Sequence, residues 1–298
     1  MLQPSGIIAS VCAAAFAAQS LAQVTVELTS SKDNTMYQPS SSTQLSNGAG
    51  EHMFIGKTQG GYARRALLQF NLSSIPANAT IQEVTLRLNM SRSIADIAQM
   101  RVHRVSAQWG EGASNAGGQE GGGATALAGD ATWQYSTYPT LQWFQGGGTF
   151  IGTASATKNI GAVGTYELST DGLLADVQAW RAAPATNFGW ILIGNESGIG
   201  TAKRFDTREF SVAANRPKLI VTYTLPPVCD SIDFNNDSSL FDPQDIDAFL
   251  SVYSEGPCIP AGATCNDIDF NNDTSVFDPC DIASFLQLYS EGPCSICG

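Results

Sequence analysis

Apolar and polar residues alternate with period two through most of the chain from Val24 to Leu225. In "EVTLRLNM", Val84, Leu86, Leu88 and Met90 fall on one face and Glu83, Thr85, Arg87 and Asn89 on the other, the pattern of a half-buried strand. "LLQFNL" gathers Leu68, Phe70 and Leu72 in the same way. "FGWILIG" and "PKLIVTYT" are apolar on both faces, as in strands covered on both sides. Turn chemistry separates these runs, in "SNGAG", "SSIPANAT" and "QGGG". One segment, "DGLLADVQAWRAA", changes period and sets Leu173, Leu174, Val177 and Trp180 at helical spacing. Many short strands, glycine-rich connections and one short helix predict a mainly β fold, an antiparallel β-sandwich over residues 23–225. Trp180 and Trp190 belong to the periodic runs and are expected in its core. Residues 110–148 hold 11 of the 29 glycines together with Trp133, Tyr135, Tyr138, Trp143 and Phe144, which predicts a long surface excursion from the sheets.

After a linker at 226–228 the pattern changes. "CDSIDFNNDSSLFDPQDIDAFLSVYSEGPC", residues 229–258, recurs 36 positions later as "CNDIDFNNDTSVFDPCDIASFLQLYSEGPC". Ile246, Phe249, Leu250 and Tyr253 stand at i, i+3, i+4 and i+7, matched by Ile282, Phe285, Leu286 and Tyr289, so each copy predicts one amphipathic helix. Asp242-Pro243 and Asp278-Pro279 supply an N-cap followed by proline at the first helical position, and Gly256-Pro257 and Gly292-Pro293 end the helices. One such unit cannot bury its apolar face alone, whereas two can bury theirs against each other.

Ahead of each helix, oxygen-bearing side chains alternate: Asp233, Asn235 and Asp237, then Asp269, Asn271 and Asp273. This is the spacing of the first half of an EF-hand loop, which aims three oxygens at one calcium ion and adds a carbonyl from position seven, here Ser239 or Ser275. Two positions depart from that pattern. Position six, usually glycine, is Ser238 or Thr274, and position twelve, usually acidic, is Gln244 or Cys280. A thiol is a poor calcium ligand, so the acid one residue further on, Asp245 or Asp281, is expected to complete the set. The competing reading has Asp245 and Asp281 closing helix caps at N3, with the loops acting as disulfide-held turns.

Charge and cysteines sharpen the division. Residues 1–225 carry 14 acidic and 15 basic side chains, whereas the rest carries 13 acidic ones and no Lys or Arg. A balanced body with an acidic tail lacks the clustered cations that nucleic acid requires and suits divalent cations instead. "GIIASVCAAAFAA" followed by Ser20-Leu21-Ala22 reads as a signal peptide over 1–22, with Gln23 as the mature start, although no Lys or Arg precedes the apolar run. No other segment is apolar enough to span a membrane. Export removes Cys12 and leaves six cysteines, which allow 15 disulfide connectivities. Repeat symmetry favours Cys229–Cys258 and Cys265–Cys294 as brackets, with Cys280–Cys297 left over. A zinc site would want a nearby histidine beside its cysteines, and the tail has none.

"SNGAGEHMFIG", "RRALLQFNLSSIPANATI", "VHRVSAQWGEG", "GDATW", "ATNFGWILIGNE", "TAKRFDTRE" and "RPKLIVTYT" together resemble the bacterial extracellular DNRLRE domain over residues 24–224. Its relatives include alginate-binding carbohydrate-binding modules, so the resemblance implies a jelly-roll-like sandwich and, by analogy, polysaccharide as partner. The tail resembles a dockerin of the cysteine-bracketed kind. That implies a small α-helical, calcium-loop module that docks into a cohesin-like or surface receptor.

Sugar-binding sandwiches stack aromatic faces on pyranose rings, and Trp109, Tyr135, Tyr138 and Trp143 lie in glycine-rich loops where such platforms belong. The competing reading packs them as a lid on the sandwich. "KRFDTRE" places Arg204, Asp206 and Arg208 on one strand face, where two guanidinium forks would match uronate carboxylates. Alternatively these arginines pair with Asp206 and with acids such as Glu111. The sandwich shows no facing carboxylate pair, no G-x-S-x-G and no HExxH, and its histidines, His52 and His103, stand alone. Three functions therefore stand, in this order: a secreted, non-catalytic binder of polysaccharides such as alginate, anchored by its tail; a structural or adhesive surface protein; and a polysaccharide lyase or hydrolase.

Overall fold

The computed structural model describes residues 23–226, 228–273, 275–290, 292 and 294. The expected leader, 1–22, and Cys297 lie outside the described residues. The chain forms two compact units, Gln23–Thr224 and the segment from Leu225 onward.

The first unit is built of antiparallel strands. In chain order they begin β1 (Gln23–Tyr37), β2 (Leu45–Ser46), β3 (His52–Lys57), β4 (Ala63–Phe70), β5 (Thr80–Ser93) and β6 (Ala98–Arg104). The short β7 (Ala124–Thr125), β8 (Tyr135–Thr137) and β9 (Leu141–Gln142) follow, then β10 (Ala156–Ile160) and β11 (Gly164–Ser169). Helix α1 (Asp171–Ala182) precedes β12 (Trp190–Ile193), β13 (Lys203–Asp206) and β14 (Lys218–Thr224). The main sheet runs β1-β14-β5-β13-β3-β4-β12-β6-β10, with β11 beside β5. It closes on itself because β1 pairs with both β14 and β4, changing register between Ser30 and Lys32. One long strand thus serves two sheet faces, giving a sandwich- or barrel-like enclosure.

The period-two pattern maps onto this core. Val84, Leu86, Leu88 and Met90 of β5 are all buried, as are Leu68, Phe70 and every residue of β12. β14 differs from its expectation: its burial alternates, with Ile220 only half-buried, because one of its faces is not fully covered. Thr170 caps α1, which buries Leu173, Val177 and Trp180, and Trp180 packs on Trp190 with centroids 4.7 Å apart. The segment 110–148 is not a free excursion. Trp109, Ala131 and Trp143 join Met36, Leu67, Val105, Ile191 and Ile193 in one buried cluster, so much of this segment is a layer of the core. Buried polar groups of the sheet hold it down: Asn34 Nδ2 donates to the Glu111 carbonyl at 2.6 Å, and Tyr37 Oη donates to that of Glu120 at 2.9 Å. Gly112 makes this possible, with φ of 76° and the Asp130 carboxylate where a Cβ would stand.

The second unit contains helices α2 (Pro243–Tyr253) and α3 (Pro279–Tyr289). Asp242 and Asp278 cap them, each in a reciprocal box with the N3 acid, Asp245 or Asp281. The core is made of Phe234, Phe249, Phe270 and Phe285 with Ile232, Ile268 and Ala248. Of the expected apolar stripes, Ile246, Phe249 and Tyr253, and Ile282, Phe285 and Tyr289, pack into this core, joined by Ala248 and Val252. Leu250 and Leu286 do not, at 50% and 52% exposed.

The repeats interlace. Asp230 N–H donates to the Phe270 carbonyl at 2.8 Å, and Asn266 N–H to that of Phe234 at 3.0 Å. Tyr253 Oη reaches the Phe277 carbonyl at 3.1 Å while Tyr289 Oη reaches Phe241 at 2.9 Å. The disulfides follow this exchange and correct the expected brackets: Cys229 bonds Cys294, and Cys258 bonds Cys265. Pairing the start of one repeat with its counterpart brings Cys229 to the far end of the second, and Cys258 and Cys265 flank the short link between the repeats. The expected Cys280–Cys297 bond falls on a residue outside the described set.

Candidate functional site

The expected aromatic platform divides. Trp109 and Trp143 are core residues, and their indole N–H groups donate to the carbonyls of Phe188 at 2.8 Å and Thr132 at 2.9 Å. They cannot stack on a sugar, and the reason is that the 110–148 layer folds back over the sheet. Tyr135 and Tyr138 remain half-buried on the hairpin of β8 and β9, edge to face at 5.2 Å.

The arginines divide as well. Arg208 is committed internally: Nε and Nη2 grip Glu111 at 2.8 Å each, and Nη2 also meets Glu209 at 2.9 Å. This is the pairing with Glu111 named above as the alternative role of Arg208, and it leaves no free fork for a uronate. Asp206 is fully buried, holding Asn89 at 2.6 Å and facing His52 Nε2 at 3.7 Å. His52 Nδ1 faces Glu120 at 3.4 Å. Burial by itself would raise the Glu120 pKa, but hydrogen bonds from His52 and Asn47 hold it below the usual carboxylate value. His103 is buried with its ring 5.1 Å from Phe150 and Nδ1 3.0 Å from the Ile151 carbonyl.

Arg204 opens onto a cleft of ≈ 190 Å³ formed by β3, β4, the end of β5 and β13. Arg204 donates from Nε to Ser91 Oγ at 3.0 Å and from Nη1 to Gln119 Oε1 at 2.9 Å. Arg92 Nη1 reaches the same Gln119 oxygen at 3.1 Å. Arg64 lies 4.7 Å over the Tyr37 ring. Among the described residues none of these three guanidinium groups has a carboxylate within ion-pair distance. Phe54 and Ile94 supply apolar walls. Lys203, almost fully buried, pins the loop that carries Ile94 by donating to Ser93 Oγ at 2.8 Å and the Asp96 carbonyl at 2.9 Å. Burial lowers the pKa of Arg64, Lys203 and Arg204, and outweighs the nearby acids Asp96 for Lys203 and Asp206 and Glu120 for Arg204.

Arg204 is legible in the sequence as a candidate; Arg64 and Arg92 are not among the expected residues. Arg64 has the strand parity of Leu68 and Phe70 and so continues a core face with a charge, a usable signal. Arg92 lies past the irregularity in β5 between Met90 and Arg92, where parity no longer reports the face.

In the second unit both loops wind around their first acid. Asp237 N–H donates to Asp233 Oδ1 at 2.9 Å and to Asn235 Oδ1 at 3.0 Å, and Ser238 N–H to Asp233 Oδ2 at 2.9 Å. Asp273 N–H repeats this with Asp269 at 2.9 Å and Asn271 at 3.1 Å, and Ser275 N–H donates to Asp273 at 2.9 Å, as Ser239 N–H does to Asp237 at 2.8 Å. Ser238 takes the left-handed turn itself, at φ 71°, where the usual loop has glycine. Asp245 is brought to its loop: Oδ1 accepts from Phe234 N–H at 2.9 Å. Burial raises the pKa of Asp245 and pushes that of Asp281 up to about 6. The donors are all oxygens, which suits a hard cation, but among the described residues no three His, Cys, Asp or Glu side chains converge as a ready metal site. The loop carboxylates are occupied with main-chain amides, and the capping role of Asp245 and Asp281 is fully formed.

No family model matches this chain, and no curated protein is significantly similar to it.

Proposed function

We propose that the protein is a secreted, non-catalytic binder of acidic polysaccharides such as alginate, a relative of the DNRLRE domain held to a scaffold or surface by a calcium-dependent, dockerin-like tail. The observation that carries this reading is the cleft of Arg64, Arg92 and Arg204. Guanidinium forks without carboxylate partners, beside the apolar faces of Phe54 and Ile94, match a sugar ring that carries a carboxylate. Tyr135 and Tyr138 offer a second, uncharged contact.

In the tail, Asp233, Asn235, Asp237, the Ser239 carbonyl and Asp245 would hold one calcium ion, and Asp269, Asn271, Asp273, the Ser275 carbonyl and Asp281 a second. The ions would neutralise acids that burial disfavours. Two disulfides suit an oxidising compartment, and among the described residues no helix is long and apolar enough to cross a membrane.

Affinity electrophoresis of the full chain through acidic and neutral polysaccharides tests the reading. Retardation by uronate polymers should fall at least tenfold in Arg92→Ala/Arg204→Ala and stay near wild type in Arg208→Lys. Equal retardation of the double variant would remove the cleft from the function. Failure to bind any glycan, with binding to cells or matrix retained, would favour an adhesive protein, and release of unsaturated or reducing ends would make it an enzyme.

A further inference from the structure

Asp33 stands just past the bulge at which β1 changes sheets, and its side chain is fully buried. Oδ2 accepts the Arg208 N–H at 2.9 Å and the Ser30 hydroxyl at 3.2 Å. Oδ1 has no partner. Close by, Glu209 uses Oε1 on Arg208 at 2.9 Å, while its Oε2 is buried and also without a partner. Glu111 takes the rest of the Arg208 fork and accepts the Asp33 N–H at 2.9 Å. Glu111 and Glu209 thus share the Arg208 guanidinium and Asp33 takes its main-chain N–H, so three carboxylates meet one cation and two buried carboxylate oxygens are left bare. A bare buried carboxylate oxygen forfeits its hydration without return.

We propose that Asp33 Oδ1 and Glu209 Oε2 are the side-chain ligands of a divalent cation, calcium by preference, inside the β unit. Two positive charges balance the cluster. No third carboxylate is needed, because calcium accepts six to eight oxygens and readily takes main-chain carbonyls and water beside two acids, whereas magnesium demands a stricter octahedron. Arg208 and Glu111 then act as the frame that keeps both ligands in place. The site shares no residue with the acidic loops of the tail and does not depend on their binding an ion.

Terbium, a luminescent stand-in for calcium, separates the two places. All five tryptophans lie between 109 and 190, in the β unit, and none in the tail. Excitation in the tryptophan band therefore reports an ion in the β unit, and a variant of the loops checks that an ion there does not contribute. The full chain should show saturable terbium emission that calcium displaces. Asp33→Asn and Glu209→Gln should each lower the affinity at least tenfold, the latter keeping side-chain volume and an oxygen for Arg208. Asp233→Ala/Asp269→Ala should leave the emission unchanged. No emission from folded protein, emission indifferent to both Asp33→Asn and Glu209→Gln, or emission lost with the tail variant would each overturn the proposal.

Discussion

The ring of Phe249 lies flat on that of Phe285, centroids 4.2 Å apart and planes 10° from parallel, each from the same position of its own repeat. This stack is the centre of a core with few other members, so little can collapse into a void left there. Phe285→Ala is expected to cost about 3–5 kcal/mol. Hydrogen exchange should show amide protection lost across both α2 and α3. Loss confined to α3 would mean the repeats fold separately.

The Cys229–Cys294 bond closes a loop of 65 residues, against 7 for Cys258–Cys265. On the chain-entropy account, removing it should cost about 2–4 kcal/mol, and removing the short link less. Peptide mapping without reductant should recover these two pairs, and melting of Cys229→Ser/Cys294→Ser against Cys258→Ser/Cys265→Ser would give the order. A recovered Cys229–Cys258 peptide would contradict the interlaced arrangement.

Trp143 supports the fold, so Trp143→Ala should lower the urea midpoint of the β unit by an amount equivalent to about 3–5 kcal/mol. Tyr138→Ala, at a half-buried surface position, should cost about 1 kcal/mol or less. A Trp143→Ala protein that unfolds like wild type would put this residue back on the surface.

Burial holds the His103 imidazole below its ordinary pKa; the Ile151 carbonyl opposes this, and Arg101 and Arg65 reinforce it. The unfolded chain therefore binds this proton first. The stability that neutral His103 contributes is complete above the unfolded value of about 6.5 and is lost as pH falls from there toward the depressed folded value. Melting of wild type against His103→Gln should give a difference that shrinks on acidification through that window. A constant difference would show the imidazole is not held neutral.

If the loops bind calcium, saturating ion should raise the melting temperature of the tail by mass action, and magnesium should do less. Asp233→Ala should remove one equivalent of calcium and Asp233→Ala/Asp269→Ala two. Melting of the full chain that ignores chelator, with no heat of titration from these loops, would leave them as capped turns.

Period two determined the buried row of β5, because alternation states which side of a strand meets the core, and an unbroken apolar run determined β12, covered on both faces. The near-repetition of one unit likewise determined two capped helices whose apolar faces cover each other. Only the tertiary structure decided the rest. Trp109 and Trp143 look like loop aromatics in the chain, but the glycine-rich layer that carries them is pulled down by Asn34 and Tyr37, residues far away in sequence. Arg204 and Arg208 are four residues apart, yet one opens on a cleft and the other is gripped by Glu111, since a carboxylate from another segment meets only the second. Cysteine spacing respected the repeat, whereas the bonds respect the contact between repeats. Local sequence specifies what each segment can become; which distant partner neutralises a charge, covers a ring or oxidises with a thiol depends on contacts that exist only once the chain has closed.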